Sequence, residues 1–336
     1  MVKFYKMMFL TTLFSGTLIA MSSYSLFSVW VGLEINLLSI IPLMYNKNNI
    51  LSSESAIKYF LTQAMASTIL LMSMIMSMMS IKTSSLTEID LNSMLMNSAI
   101  LTKMGMAPFH FWMPEIIEGI SWMNTLLILT WQKIAPMTVL MINSMSTMFM
   151  QAIIMISIMM SSILSLNQTM MKKILVYSSI NHMGWMLPLM IMEYETWLIY
   201  FLVYSFMTTS IIMLIKKFNV MNIIQMMNMN MESTKKFLFI MSFLSLSGMP
   251  PFIGFLPKWM TIQVMIENNF LWTTLMMIMF TLIMIFIYVR LTFSSILIEN
   301  EKMNWIKMKK IKTNSIAMMN FSMMVSLMLI TMILNL

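Results

Sequence analysis

The sequence contains no cysteine and only two histidines, His110 and His182. Without cysteine there is no disulfide framework and no iron–sulfur cluster, and two histidines do not make a His/Cys metal site. The chain also lacks a GxGxxG motif and a P-loop, the glycine-rich patterns that bind dinucleotides and nucleotide phosphates. These absences argue against a chain that holds a metal, a nucleotide or a flavin.

Charged residues are scarce as well, at 10% of 336 residues, whereas 59% are hydrophobic. An ordinary soluble domain has about 25% charged residues. Apolar runs recur along the whole chain, and many are long enough for the helix of about 20 residues that crosses a bilayer. The sequence therefore predicts an all-α polytopic membrane protein, with residues 1–336 forming one transmembrane domain and no sizeable soluble part.

The formal charge of +8 does not indicate nucleic acid as a partner. The lysines stand at the ends of apolar runs rather than among exposed aromatic residues, which is how membrane proteins carry positive charge. Lipid is the expected contact.

Methionine accounts for 54 of 336 residues, while alanine, glycine and proline are scarce. This pattern is typical of A/T-rich codons with ATA read as Met, as in animal mitochondrial genomes. The methionines then replace Leu and Ile as core-filling side chains and do not indicate a metal-binding array.

The apolar runs between polar breaks give about eleven predicted spans. They cover residues 5–22, 26–45, 56–80, 91–108, 121–144, 149–166, 173–192, 197–215, 237–266, 270–294 and 315–335. If the spans alternate in direction, the lysines in loops and at span ends fall on the N-terminal side, with Lys82 as the exception. This bias predicts an N-terminus in the matrix and a C-terminus in the intermembrane space.

A second group of charged residues lies inside the predicted spans. They are Glu34, Lys103, Lys133 and Lys258. A charge at the centre of a membrane helix costs about 2.5 to 3.5 kcal/mol on insertion scales, so its presence points to a function. Before Lys258 the segment LSLSGMPPFIGFLPK must interrupt its span, because proline lacks a backbone donor, and transporters place ion sites at such breaks. We expect irregular backbone within residues 248–258.

The segments around these charges indicate a family. They read GLEINLLSIIPL, KYFLTQAMAS, KMGMAPFHFWMPEIIEG, WQKIAP, LNQTMMKKILVYSSINHMGWM and GMPPFIGFLPKW. In this order they closely resemble the family of subunit 2 of mitochondrial NADH:ubiquinone oxidoreductase, respiratory complex I, in its short animal form. The resemblance extends over essentially the whole chain.

The resemblance implies an antiporter-like fold with discontinuous helices, and a proton-translocating subunit in the membrane arm of the complex in the mitochondrial inner membrane. It places NADH, FMN, iron–sulfur clusters and ubiquinone in other subunits, with no cofactor and no metal bound by this chain. The implied partners are other membrane-arm subunits, mitochondrially and nuclear encoded, and lipids, cardiolipin among them. The chain then belongs to an NADH:ubiquinone reductase without redox chemistry of its own.

Matched residue by residue, the resemblance implies proton transfer by Glu34, Lys103, Lys133 and Lys258. We expect Glu34 and Lys103 to approach within hydrogen-bonding or one-water distance in at least one state, because each otherwise lacks compensation at low dielectric. His182 is a further candidate, either as a proton relay or as a residue that hydrogen-bonds between helices.

Each candidate has a structural alternative. Glu34 and Lys103 could form an ion pair that holds two helices together, although buried pairs stabilise poorly. Lys133 could extend to an interface, and Lys258 could cap backbone carbonyls. His110 is interpreted as part of an interfacial aromatic belt.

Glu115 and Glu118 could collect protons or cap the next helix, and both interpretations stay open. Two functions of other classes also remain. A stand-alone cation/proton antiporter would work alone in vesicles, and a purely structural subunit would tolerate alanine at Lys133.

Overall fold

The computed structural model describes residues 4–46, 49–80, 86–143, 145–228, 233–250 and 252–297. Over these residues the chain is helical, and its β-structure is a single isolated bridge between Met170 and Asn222. In chain order the helices are α1 (Phe4–Ser22), α2 (Leu26–Met44), α3 (Ile50–Ser80), α4 (Leu86–Met104), α5 (Trp112–Gly119), α6 (Trp122–Leu129), α7 (Trp131–Ile142), α8 (Thr147–Leu166), α9 (Met171–Met192), α10 (Tyr194–Phe218), α11 (Ile223–Asn228), α12 (Ser233–Ser247), α13 (Phe255–Glu267) and α14 (Leu271–Leu297). The prediction of an all-α membrane protein is confirmed.

The described part of the chain contains eight helical segments that are long and apolar enough to cross a membrane, with α6 and α7 together forming one of them. The predicted total of about eleven spans stays a prediction, because an apolar pattern predicts the presence of a helix better than its first and last residues. The span over residues 315–335 lies outside the described residues, as do Lys47, Lys82 and the 298–314 segment.

The predicted break in the span over residues 237–266 is confirmed. Helix α12 ends at Ser247 and α13 begins at Phe255, with turns between them. Gly248 ends α12 in the left-handed conformation, with φ of +74° and its N–H donating to the Ser245 carbonyl at 3.1 Å. Glycine adopts this conformation without the steric penalty that other residues meet, so it is the usual residue after a helix C-terminus.

The predicted span over residues 121–144 is confirmed as the segment Trp122–Ile142. Its helix is interrupted, which the sequence did not predict, because α6 ends at Leu129 and α7 begins at Trp131. Between them Thr130 donates both its N–H and its hydroxyl to the Leu126 carbonyl, at 3.0 and 2.7 Å. A threonine hydroxyl that bonds the carbonyl four residues back competes with the helix ladder and bends it. Pro136 weakens the following turn further, since it cannot donate to a backbone carbonyl.

The same motif ends α4 and α12, which the sequence analysis did not notice. GMAPF at residues 105–109 follows α4, and GMPPF at residues 248–252 follows α12. Gly105 has φ of +72°, and the 105 and 106 N–H groups donate to the Thr102 and Leu101 carbonyls at 3.1 Å. This is the Schellman pattern of a helix C-terminus, and the proline that follows prevents the helix from resuming.

The helices cluster into two compact units on either side of Ser157. In the first unit, α1 packs closely on α2, where a Cβ on Gly32 would lie 2.6 Å from the Ala20 nitrogen, and α7 contacts α1, α2 and α4. In the second unit, α9 is buried along nearly its whole length and contacts α10, α13 and α14. Whether residues 1–336 act as one domain stays a prediction.

Candidate functional site

Lys133 is the most deeply buried of the candidate lysines, with 2% of its surface exposed. It lies in the first turn of α7, three residues after the break at Thr130, and its N–H donates to the Thr130 carbonyl at 3.3 Å. An ammonium here faces the positive end of the α7 dipole, which opposes the charge. The burial argues against a lysine that merely extends to an interface.

Lys103 lies in the last turn of α4 and is 8% exposed. Its carbonyl accepts a hydrogen bond from Gln63 Nε2 on α3 at 3.4 Å, and the neighbouring Thr102 carbonyl accepts one from Trp112 Nε1 at 3.1 Å. These bonds satisfy carbonyls that the helix end leaves free. At the negative end of the α4 dipole, the Lys103 ammonium is stabilised.

Glu34 lies on α2, close enough to Lys103 to act on its ammonium electrostatically. Its Oε1 is buried and accepts no hydrogen bond from the described residues. Among those residues no ion pair within 4.0 Å joins Glu34 to Lys103, whereas two are found at Lys58. Their direct approach in another state stays a prediction. A buried carboxylate oxygen without a donor is costly in free energy.

Sequence reasoning missed the neutral polar residues that connect these helices. Gln132 Nε2 donates to Asn36 Oδ1 at 2.8 Å, which joins α7 to α2. A long contact of 3.5 Å places the Tyr59 hydroxyl of α3 at Gln132 Oε1. The available signal was position in sequence, since Asn36 follows Glu34 by two residues and Gln132 directly precedes Lys133.

Glu115 pairs with Lys58 on a neighbouring helix. Lys58 Nζ lies 3.2 Å from Glu115 Oε2 and 3.0 Å from Glu54 Oε1, and the Lys58 side chain is 43% exposed. The three side chains line a cleft between α3 and α5 that also includes Glu118. Exposed pairs of this kind stabilise a fold by at most about 1 kcal/mol. The proton-collecting and capping interpretations of the two glutamates stay open.

His110 differs from the expectation of an interfacial belt residue. Its neighbours Phe109 and Phe111 are exposed, but the imidazole is fully buried, with its ring centroid 4.4 Å from that of Phe111. Burial lowers the pKa of His110, and a hydrogen bond with the Pro108 backbone opposes this effect. The loop therefore turns His110 inward, and only the phenylalanines suit the belt.

Lys258 lies in the first turn of α13 and is partly buried. Its Nζ donates to the Ser247 carbonyl at 2.7 Å, the last carbonyl of α12. The side chain passes over Gly248, where a Cβ would lie 2.9 Å from Lys258 Cδ. In this state Lys258 caps the end of α12, which agrees with the alternative interpretation of Lys258 as a residue that caps backbone carbonyls. The α12 dipole stabilises the ammonium there.

His182 lies on α9 and is 4% exposed. Its Nδ1 is 3.0 Å from the Tyr200 hydroxyl on α10, and its ring centroid is 5.1 Å from that of Tyr204. Sequence reasoning missed both tyrosines, because a tyrosine in a membrane span carries no formal charge. In the first unit Glu34 acts electrostatically on Lys103, and α7, which bears Lys133, contacts α2 and α4. In the second unit α13, which bears Lys258, packs on α9.

A family described as NADH:quinone oxidoreductase/Mrp antiporter, transmembrane, matches residues 23–287, which contain all the candidate residues. A chain of respiratory complex I from Thermus thermophilus has a similar fold, with a TM-score of 0.87 at 19% identity over 100% of this chain and 80% of that chain. The broken helices and buried charges are thus those of an antiporter-like membrane protein.

The similarity to curated proteins is more specific. NADH-ubiquinone oxidoreductase chain 2 of Anopheles gambiae is 43% identical over 299 residues, covering 88% of this chain and 87% of that protein. The Locusta migratoria protein of the same name is 40% identical over 310 residues, covering 91% and 90%. The chain belongs to the NADH-ubiquinone oxidoreductase chain 2 family, which confirms the resemblance found in the sequence.

Proposed function

We propose that this chain is a proton-translocating subunit of the membrane arm of respiratory complex I in the mitochondrial inner membrane. NADH oxidation and ubiquinone reduction take place in other subunits, and this chain binds no cofactor of its own. Its N-terminus lies in the matrix and its C-terminus in the intermembrane space. Other membrane-arm subunits, mitochondrially and nuclear encoded, and lipids such as cardiolipin surround it.

The observation that carries the proposal is the full burial of Lys133 beside a helix break, in the unit that also contains Glu34 and the buried Lys103. A fold selected only for stability would replace such groups, since desolvation offsets their attraction. Charges near one another titrate as a coupled set, so a proton that arrives at one site changes the proton affinity of the next. Moving a proton outward against 100 mV costs about 2.3 kcal/mol, which the redox reaction elsewhere in the complex supplies.

Glu34, Lys103 and Lys133 carry the first part of the path, and His182 and Lys258 carry the part in the second unit. The lysines hold or release a proton at Nζ, Glu34 at its carboxylate, and His182 at a ring nitrogen. Lysine suits this role because its ammonium, unlike a guanidinium, can lose its proton when buried.

A stand-alone cation/proton antiporter is the second candidate, since the matching family includes Mrp antiporters. The two functions differ in their energy source. An antiporter would acidify vesicles in response to an imposed cation gradient, whereas the proposed subunit requires NADH oxidation by the whole complex.

Replacing Lys133 by arginine tests the proposal. We expect assembly to be preserved and proton translocation to be strongly reduced, because arginine keeps the charge but does not deprotonate in proteins. The measurement is membrane-potential formation during NADH oxidation in vesicles, normalised to the amount of assembled complex.

Lys172→Arg is the matched control. Lys172 is also a buried lysine in the first turn of a helix, at the start of α9, and it lies outside the proposed path. We expect this variant to pump as wild type. Normal pumping by Lys133→Arg would show that Lys133 is a fixed charge and would contradict proton cycling at this site.

A further inference from the structure

Two buried tyrosines of the second unit contact His182. Tyr200 and Tyr204 lie one turn apart on α10 with 0% of their surface exposed, and Tyr288 on α14 is 2% exposed. Both α10 tyrosines contact the His182 ring, with centroid distances of 6.0 and 5.1 Å. A buried phenol normally finds a partner for its hydroxyl, so the partner of each indicates its role.

The other two phenols lie near serine hydroxyls of α9, Tyr204 near Ser179 and Tyr288 near Ser178. Each serine hydroxyl donates its own hydrogen to the backbone carbonyl three residues earlier, at 2.7 Å. Since a serine has one hydrogen to donate, its oxygen is left as an acceptor for a phenol.

The Tyr200 hydroxyl instead meets His182 Nδ1 at 3.0 Å, and no other hydrogen-bond partner reaches it within the described part of the chain. If neutral His182 donated from Nδ1, the phenol hydrogen would be left unsatisfied in a buried site. If the phenol donates to Nδ1, both the hydrogen and the ring lone pair are satisfied, and the ring proton lies on Nε2. The second arrangement is therefore the more stable for the neutral imidazole.

We propose that Tyr200 is a positioning residue for proton transfer through His182. The Tyr200 hydroxyl holds the neutral ring with its proton on Nε2, and it accepts a hydrogen bond from Nδ1–H in the charged ring. This inference rests on the proposed role of His182 as a relay. An ammonium of the proposed path gives a proton to Nδ1, so that its N–H bond breaks as the Nδ1–H bond forms. The phenol hydrogen turns away, and the phenol oxygen accepts the new Nδ1–H. When that proton passes to a neutral amine of the path, the Nδ1–H bond breaks as the amine N–H bond forms, and the phenol donates to Nδ1 again. A hydroxyl can serve both states because it is donor and acceptor.

The test compares Tyr200→Phe with Tyr288→Phe. Both variants remove one hydroxyl from a buried tyrosine of the second unit, and of these two tyrosines only Tyr200 is hydrogen-bonded to His182 in the described part of the chain. We expect Tyr200→Phe to lower the protons translocated per NADH oxidised, because one lost hydrogen bond changes the equilibrium between the two forms of the His182 ring by about five-fold. Tyr288→Phe should pump as wild type at equal amounts of assembled complex.

Two further variants separate this inference from the proposed function. His182→Gln should also lower translocation, and Tyr200→Phe combined with His182→Gln should be no worse than His182→Gln alone, because both act at one site. Normal pumping by His182→Gln would refute the relay and this inference with it. Impaired His182→Gln beside normal Tyr200→Phe would overturn the inference and leave the relay intact. Equal losses in the two phenylalanine variants would reduce Tyr200 to a packing role.

If the complex with Tyr200→Phe fails to assemble, Tyr200→Gln and Tyr200→Leu provide a second test of the role of the Tyr200 hydroxyl. Glutamine retains a donor and an acceptor, whereas leucine has neither. Higher translocation per NADH in the glutamine variant than in the leucine variant is the expected result, and equal values would overturn the inference.

Discussion

The three candidate lysines occupy helix ends of opposite polarity. Lys103 lies in the last turn of α4, and the Lys258 ammonium binds the last carbonyl of α12, so both meet the negative end of a helix dipole. Lys133 lies in the first turn of α7, at the positive end. Such placements change the energy of a charge by about 0.3 to 1 kcal/mol, and by up to about 2 in partly buried sites. The same residue type therefore meets opposite ends of a helix dipole at different positions of the proposed path.

The hydrogen bond between Asn36 and Gln132 should contribute to the stability of the fold and not to proton transfer itself. Asn36→Leu leaves the half-buried Gln132 amide without its acceptor, and an unsatisfied amide costs up to about 3 kcal/mol where water does not reach it. We expect faster thermal inactivation of NADH oxidation in the purified complex carrying Asn36→Leu.

The exchanged pair, Asn36→Gln with Gln132→Asn, keeps both amides and should recover most of the loss. Wild-type thermal stability of Asn36→Leu would contradict a structural role for this bond. Failure of the exchanged pair alone would show that the reach of each side chain matters as well as its polarity.

Helix breaks lie beside the candidate lysines, and only some of these breaks could be predicted from the sequence. The break between α12 and α13 was predictable because GMPPFIGFLPK contains residues that lack a backbone donor or favour a left-handed conformation. The break at Thr130 was not, because threonine is common inside helices and its bond to the Leu126 carbonyl is one of several that it can form.

Gly248→Ala tests the break beside Lys258. Alanine at φ of +74° costs about 1 to 2 kcal/mol, and its Cβ would lie 2.9 Å from Lys258 Cδ and 3.0 Å from the Gly254 carbonyl oxygen. We expect lower thermal stability and also lower proton translocation per NADH, because the Lys258 side chain is displaced from the Ser247 carbonyl.

Gly105→Ala provides the comparison, since Gly105 ends α4 with φ of +72° and a Cβ there would meet the flexible Met113 Sδ at 3.0 Å. It shares the backbone strain without touching Lys258, but it lies two residues after Lys103 of the proposed path, so the two variants are compared by thermal stability. A similar loss of thermal stability in both would show that backbone strain, and not the contact with Lys258, accounts for the loss.

For the whole molecule, the orientation in the membrane follows from the lysine bias and stays a prediction. Protease added to mitoplasts reaches only the intermembrane face. We expect it to spare the 216–236 and 299–314 segments, because the positive-inside bias places them in the matrix. Mass spectrometry of the fragments provides the measurement, and mitoplasts opened with detergent serve as the positive control. Cleavage in either segment of this chain in sealed mitoplasts would contradict the predicted orientation.

The class of protein, the charged candidates and the helix break before Lys258 could all be predicted from the amino-acid sequence. They depend on composition, apolar length and local backbone chemistry, which are properties of the chain before it folds. The partners could not be predicted, because they depend on packing: Asn36 with Gln132, Tyr200 with His182, and Lys258 with the Ser247 carbonyl. Each of these contacts depends on which faces of two helices meet, and periodicity within one apolar span does not specify the face of its neighbour. Neutral polar residues were missed for the same reason, because an amide or a phenol in a span gains a role only from the group that packing places beside it.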